Sequence, residues 1–169
     1  GYARIYSNRS LPLKNTDFTT IKKILSDKYK NIDYTQLINS EIILKTSNGS
    51  EGVFINLFDN NGMNVFNLYD FITEGDFKKD AIIVGSSLAK KLSININDDI
   101  YLFNHHNNNV RLVEVSAIFE TNIADYDKHT IYAHIDSFKD FLDYSYDEFD
   151  CVVINSKQDN FEINNIFQN

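Results

Sequence analysis

Between Asp80 and Leu142 the sequence alternates strand and helix signals in an order that leaves few folds open. An apolar strand over residues 81–84 meets Gly85 and turns into a helical stretch over 86–92. Strands follow at 100–103 and, after a hairpin, at 110–119. An acidic loop closing on Asp125-Tyr126-Asp127 then leads to a strand over 130–135 and a helix over 137–142. The aromatic residues are Phe and Tyr, with no Trp, which favours strands over a helical bundle, so the expected class is a mixed α+β fold with a strong sheet component.

The ends carry simpler signals. Residues 2–7 read as a strand that leaves its sheet through Asn8-Arg9-Ser10. Thr16 or Asp17 is expected to cap a helix over 17–29, where Phe18, Ile21, Ile24, Leu25 and Tyr29 recur at helical spacing. A strand over 38–46, a turn over 47–50 and a partner strand over 52–58 complete a β-α-β-β unit. Asp59-Asn60-Asn61-Gly62 is a turn, and the apolar patch over 65–72 is a short helix or extended cover. A strand over 149–154 and a helix over 160–167 close the chain. The β-α-β signals at both ends suggest one subdomain made of residues 1–58 and 145–169, interrupted by a second over 59–144.

The formal net charge is −8, and Lys and Arg cluster no further than Lys78-Lys79 and Lys90-Lys91, which argues against nucleic-acid binding and against adsorption to anionic lipid. No run approaches the roughly 20 apolar residues of a membrane-spanning helix. Cys151 stands alone between apolar neighbours and reads as a buried small hydrophobe.

No catalytic constellation emerges. His105 and His106 sit side by side on a hairpin tip, where adjacent side chains are expected to point apart, and no Cys or carboxylate stands at ligand spacing. His129 and His134, five apart across a predicted strand, face opposite sides. Asp125 and Asp127 have the spacing of a cation-binding or acid/base pair, yet without a third ligand they read as loop capping and solvated charge. Ser86 and Ser87 follow Gly85 without the later glycine of a nucleophile elbow and read as helix caps.

The ordered run Asp76-Phe77, then Ala81-Ile82-Ile83-Val84-Gly85-Ser86-Ser87-Leu88-Ala89-Lys90-Lys91-Leu92, Asn97-Asp98-Asp99-Ile100-Tyr101-Leu102, Val113 through Asp127 and Ile131-Tyr132-Ala133-His134-Ile135 resembles the periplasmic domain of the lipoprotein-releasing permeases LolC and LolE. With MacB these belong to one superfamily of ABC permeases. The resemblance holds its order over 42–154 and implies a porter-like β-α-β subdomain with an inserted, mainly-β, Sabre-like subdomain. It also implies a periplasmic location on the bacterial inner membrane and no catalysis or cofactor in the domain. A separate cytoplasmic ABC ATPase and a second permease subunit would be partners, a lipoprotein the substrate, and a LolA-like chaperone the acceptor. A final strand and a membrane-proximal helix are expected to follow Asn169. The hairpin that hooks the chaperone in LolC-type domains is long and contains Pro. Here it shrinks to Asn104, His105, His106, Asn107, Asn108 and Asn109, which are the candidate partner-contact residues. The alternatives are a MacB-like efflux or FtsX-type permease and, from another class, a secreted metal-dependent hydrolase using Asp125, Asp127 and a histidine.

Overall fold

The computed structural model describes residues 1–7 and 11–156. In chain order its elements are β1 (Tyr2–Tyr6), β2 (Leu13–Lys14), α1 (Asn15–Lys28), β3 (Ile32–Thr46), β4 (Gly49–Phe58), α2 (Gly62–Val65), α3 (Leu68–Phe71), β5 (Ile72–Gly75) and β6 (Ile82–Gly85). They continue with α4 (Ser86–Leu92), β7 (Asp99–Asn104), β8 (Asn109–Phe119), α5 (Ala124–His129), β9 (Thr130–His134), α6 (Ile135–Phe138), β10 (Glu148–Phe149) and β11 (Cys151–Ser156). The fold is mixed α/β and mostly strand.

Nine strands form one sheet in the order β1-β11-β3-β4-β9-β6-β8-β5, with β7 bridging β3 and β8. The long β3–β4 hairpin runs in register from Leu37 opposite Phe58 to Thr46 opposite Gly49. Its second strand pairs in parallel with β9, from Phe54 opposite Thr130 to Phe58 opposite His134. Thus β1, β11, β3 and β4 lie together on one side of this β4/β9 seam, and β9, β6, β8 and β5 lie on the other.

Alternation along the strands sends side chains to both faces, and apolar clusters cover one face and part of the other. On one face, Ile38, Ile42, Ile55, Ile131 and Val152 pack with Leu25 of α1, Leu88 of α4 and Phe138 of α6 in the main core. On the other face, Phe58, Met63, Leu68, Phe119 and Tyr132 form a second cluster, and Leu37, Val65, Cys151 and Val153 a third.

Several elements depart from the sequence reading. The first helix begins at Asn15 because the Asp17 carboxylate reaches back to the Lys14 N–H at 2.8 Å, so Asp17 serves the first turn from inside it and neither it nor Thr16 is the cap. Gly85 occupies the N-cap of α4, which leaves Ser86 and Ser87 inside the helix. The acidic loop is the helix α5, β3 starts six residues earlier than expected, and an unforeseen edge strand β5 pairs with β8. The final helix of that block spans Ile135–Phe138 and gives way to turns, with Asp143 at φ 63°. The helix read over 160–167 and the loop at Asn8-Arg9-Ser10 lie outside the described residues.

Candidate partner-contact surface

The tip between β7 and β8 is anchored by its own amides. The side-chain NH2 groups of Asn104, Asn107 and Asn109 converge on the carbonyl of Phe141 at 3.0, 3.2 and 3.4 Å. Within the turn, Asn104 Oδ1 accepts the His106 N–H at 3.1 Å and Asn107 Oδ1 accepts the Asn109 N–H at 2.9 Å, while Asn108 takes the left-handed conformation at φ 59°. Asparagine suits these positions because one side chain both closes a local turn and donates outward.

Arg111 reinforces the anchor. Its Nη1 donates to the Ser137 carbonyl at 2.6 Å and its Nη2 to Asp140 Oδ1 at 2.9 Å, with the guanidinium 5.3 Å from the Phe138 ring centre. That hydrogen bond holds the Asp140 carboxyl below its ordinary range. The fixed turn presents exposed His105 and His106 with ring centres 4.1 Å apart, so the rings lie beside one another instead of pointing apart.

Beside the tip lies an uncovered apolar sheet face. Cross-strand register aligns Ile43, Phe103 and Val110 in one row and Lys45, Tyr101 and Leu112 in the next. Tyr101, Val110 and Leu112 are each more than half exposed, at 52%, 60% and 53%. The sequence signal for this face is the unbroken apolar run Ile100-Tyr101-Leu102-Phe103, in which the alternate residues Ile100 and Leu102 already supply the buried side.

The other candidate residues hold the fold together. Asp125 and Asp127, two apart on α5, point in different directions. Asp127 is buried and accepts the Thr121 N–H at 3.0 Å and its hydroxyl at 2.5 Å, whereas exposed Asp125 pairs with His129 Nδ1 at 3.1 Å. His129 sits on α5, not on a strand, and its Nε2 meets Glu51 at 3.2 Å. His134 has other partners, Asn60 and Asp136. Asp59 binds Thr35 Oγ1 at 2.7 Å and the Gln36 N–H at 2.9 Å, which makes its turn a brace on β3. Burial pushes the Cys151 thiol up to about 11.

Of the aromatic residues that flank and follow the Asp59–Gly62 turn, Phe58 is fully buried, Phe66 half-buried, and Phe71 37% exposed. Among the described residues no helix is long and apolar enough to cross a membrane.

No protein-family model matches the chain. It is 29% identical over 131 residues, 70% of its length, to the lipoprotein-releasing system transmembrane protein LolC of Buchnera aphidicola subsp. Schizaphis graminum (strain Sg). The extracellular domain of the noncanonic ABC-type transporter YknZ from Gram-positive bacteria superposes with a TM-score of 0.67 at 13% identity, covering 94% of this chain and 85% of that one. The periplasmic region of MacB from Actinobacillus actinomycetemcomitans gives 0.65 at 13% identity, covering 95% and 76%. The chain is similar to a LolC/MacB-type periplasmic domain.

At this identity the likeness to MacB and YknZ is one of fold, and the sequence match to LolC spans 33% of that relative's length.

Proposed function

We propose that this chain is a non-catalytic periplasmic domain of an ABC-transporter permease that couples cytoplasmic ATP hydrolysis to extraction of lipoproteins from the inner membrane. The observation that carries this reading is the 131-residue match to LolC, on a chain whose fold is that of the MacB and YknZ domains. Residues 1–58 and 145–169 form the porter-like subdomain and 59–144 the Sabre-like one, a division favoured by the grouping of β1, β11, β3 and β4 on one side of the seam. The partners are a cytoplasmic ATPase, a second permease subunit, a lipoprotein and a LolA-like chaperone, the last received at residues 104–109 and the neighbouring apolar face. Depleting the full-length protein in its own cells tests this directly. Lipoproteins are expected to accumulate in the inner membrane, and unchanged lipoprotein sorting would overturn the reading.

A MacB-like efflux permease is the second reading, favoured by the MacB fold and by the short six-residue tip. In that case depletion would raise sensitivity to exported compounds and leave lipoproteins in place.

A further inference from the structure

On the sheet face covered by α2 and α3, opposite the main core, lies a groove of about 430 Å³. This is within the roughly 300–1,000 Å³ of small-ligand sites. One wall is the edge strand β1, through Tyr2 and Arg4, and the other is Ile123 with Tyr126 and Tyr132. Phe71 of α3 closes the side. The lining is largely apolar and open to water: Tyr2 is 58% exposed, Ile123 63%, Tyr126 39% and Phe71 37%. A single concavity gathering this much aromatic surface is a binding feature more than a packing remnant.

The polar groups in it are few, and they match one kind of head group. Arg4 has no carboxylate within ion-pair distance among the described residues, and its hydrogen bond is a long one, 3.4 Å, to the Tyr6 hydroxyl. In a chain of net charge −8 that leaves a cation beside an apolar channel. The hydroxyls of Tyr126 and Tyr132 bond to each other. Two phenols sharing one hydrogen bond have one O–H left to donate. Burial raises both phenols above their ordinary range, so they stay neutral donors.

We infer that this groove binds a single-chain anionic amphiphile, an acyl carboxylate, with the chain along Tyr2, Phe71 and Ile123 and the carboxylate against Arg4 and the tyrosine hydroxyls. The inference stands on the groove alone and does not depend on which transporter the chain serves.

Decanoate, titrated into the 169-residue chain below its micelle concentration, tests it by amide chemical shifts. Saturable one-site binding is expected, with the shifts centred on Tyr2, Arg4, Phe71, Ile123 and Tyr126. Arg4→Gln should weaken decanoate about tenfold, the size of one charge-assisted hydrogen bond, and leave decyl maltoside unaffected. Ile123→Glu and Phe71→Glu, both on exposed positions and checked by circular dichroism, should each abolish saturation. No saturable binding, shifts located elsewhere, or equal affinity for decyl maltoside with no effect of Arg4→Gln would overturn the inference. Sedimentation with phosphatidylglycerol vesicles in the absence of decanoate binding would also overturn it, pointing to a membrane surface as the occupant.

Discussion

The backbone carbonyl oxygen of Asp127 stands 1.9 Å from the point that a Cβ on Gly85 would occupy. Helix α5 therefore lies directly on the junction between β6 and α4, and only a residue without a side chain lets it do so. Backbone, unlike the far end of a long side chain, cannot step aside cheaply. Gly85→Ala is expected to cost about 1–3 kcal/mol through this overlap. The urea midpoint should fall accordingly, and an unchanged midpoint would mean that α5 does not rest there.

His134 gives a pH dependence with a definite sign. Its Nδ1 accepts the Asp136 N–H at 3.1 Å, so in the fold the proton sits on Nε2, which donates to Asn60 Oδ1 at 2.7 Å. Burial, the largest influence, lowers its pKa below the ordinary value near 6.5. The unfolded chain then binds a proton more readily than the folded one. The stability contributed by neutral His134 is complete above about pH 6.5 and declines as the pH falls below it. Denaturation between pH 7.5 and 5.5 should show a steeper loss for the wild type than for His134→Gln; parallel curves would contradict the assignment.

Strand signals were legible where the buried pattern was apolar, as in Ile82-Ile83-Val84 and Val152-Val153-Ile154. Helix α5 leaves no signal in the sequence because the side chain it buries is the carboxylate of Asp127, which carries no apolar periodicity. The edge strand β5 is silent for a related reason, since Ile72 is its one residue that is not exposed. The sequence reading begins this strand at residue 38, whereas β3 starts at Ile32; there Asp33 and Gln36 interrupt the apolar run and Asp59 fastens the stretch through Thr35 and Gln36. The hairpin 104–109 is legible as a turn, but its attachment to Phe141 joins residues more than 30 apart, a relation no local pattern carries.

That attachment separates two kinds of position on one hairpin. Asn104 is buried, and Asn104→Ala should cost about 1–2 kcal/mol by removing the shortest of the three bonds to the Phe141 carbonyl and leaving the His106 N–H without its acceptor. His105→Ala and His106→Ala, on exposed positions, should stay within about 0.5 kcal/mol of wild type. Thermal unfolding of the three variants checks the contrast; equal losses would remove the distinction between anchor and display.

Asp127 acts as a structural acceptor for the Thr121 N–H and hydroxyl. Asp127→Asn should destabilise the chain by about 1–3 kcal/mol, because an amide offers one acceptor oxygen where the carboxylate offers two to Thr121. Calorimetric titration of the wild type with zinc, calcium and manganese should give no heat at that pair. Stoichiometric heat that disappears in Asp127→Asn would restore the hydrolase alternative.

The central claim, a permease's periplasmic domain, is tested most directly by the hydropathy of the full-length gene around this segment. The account predicts one apolar helix of about 20 residues just upstream and three downstream. A secretion signal upstream with a stop codon soon after Asn169 would contradict it.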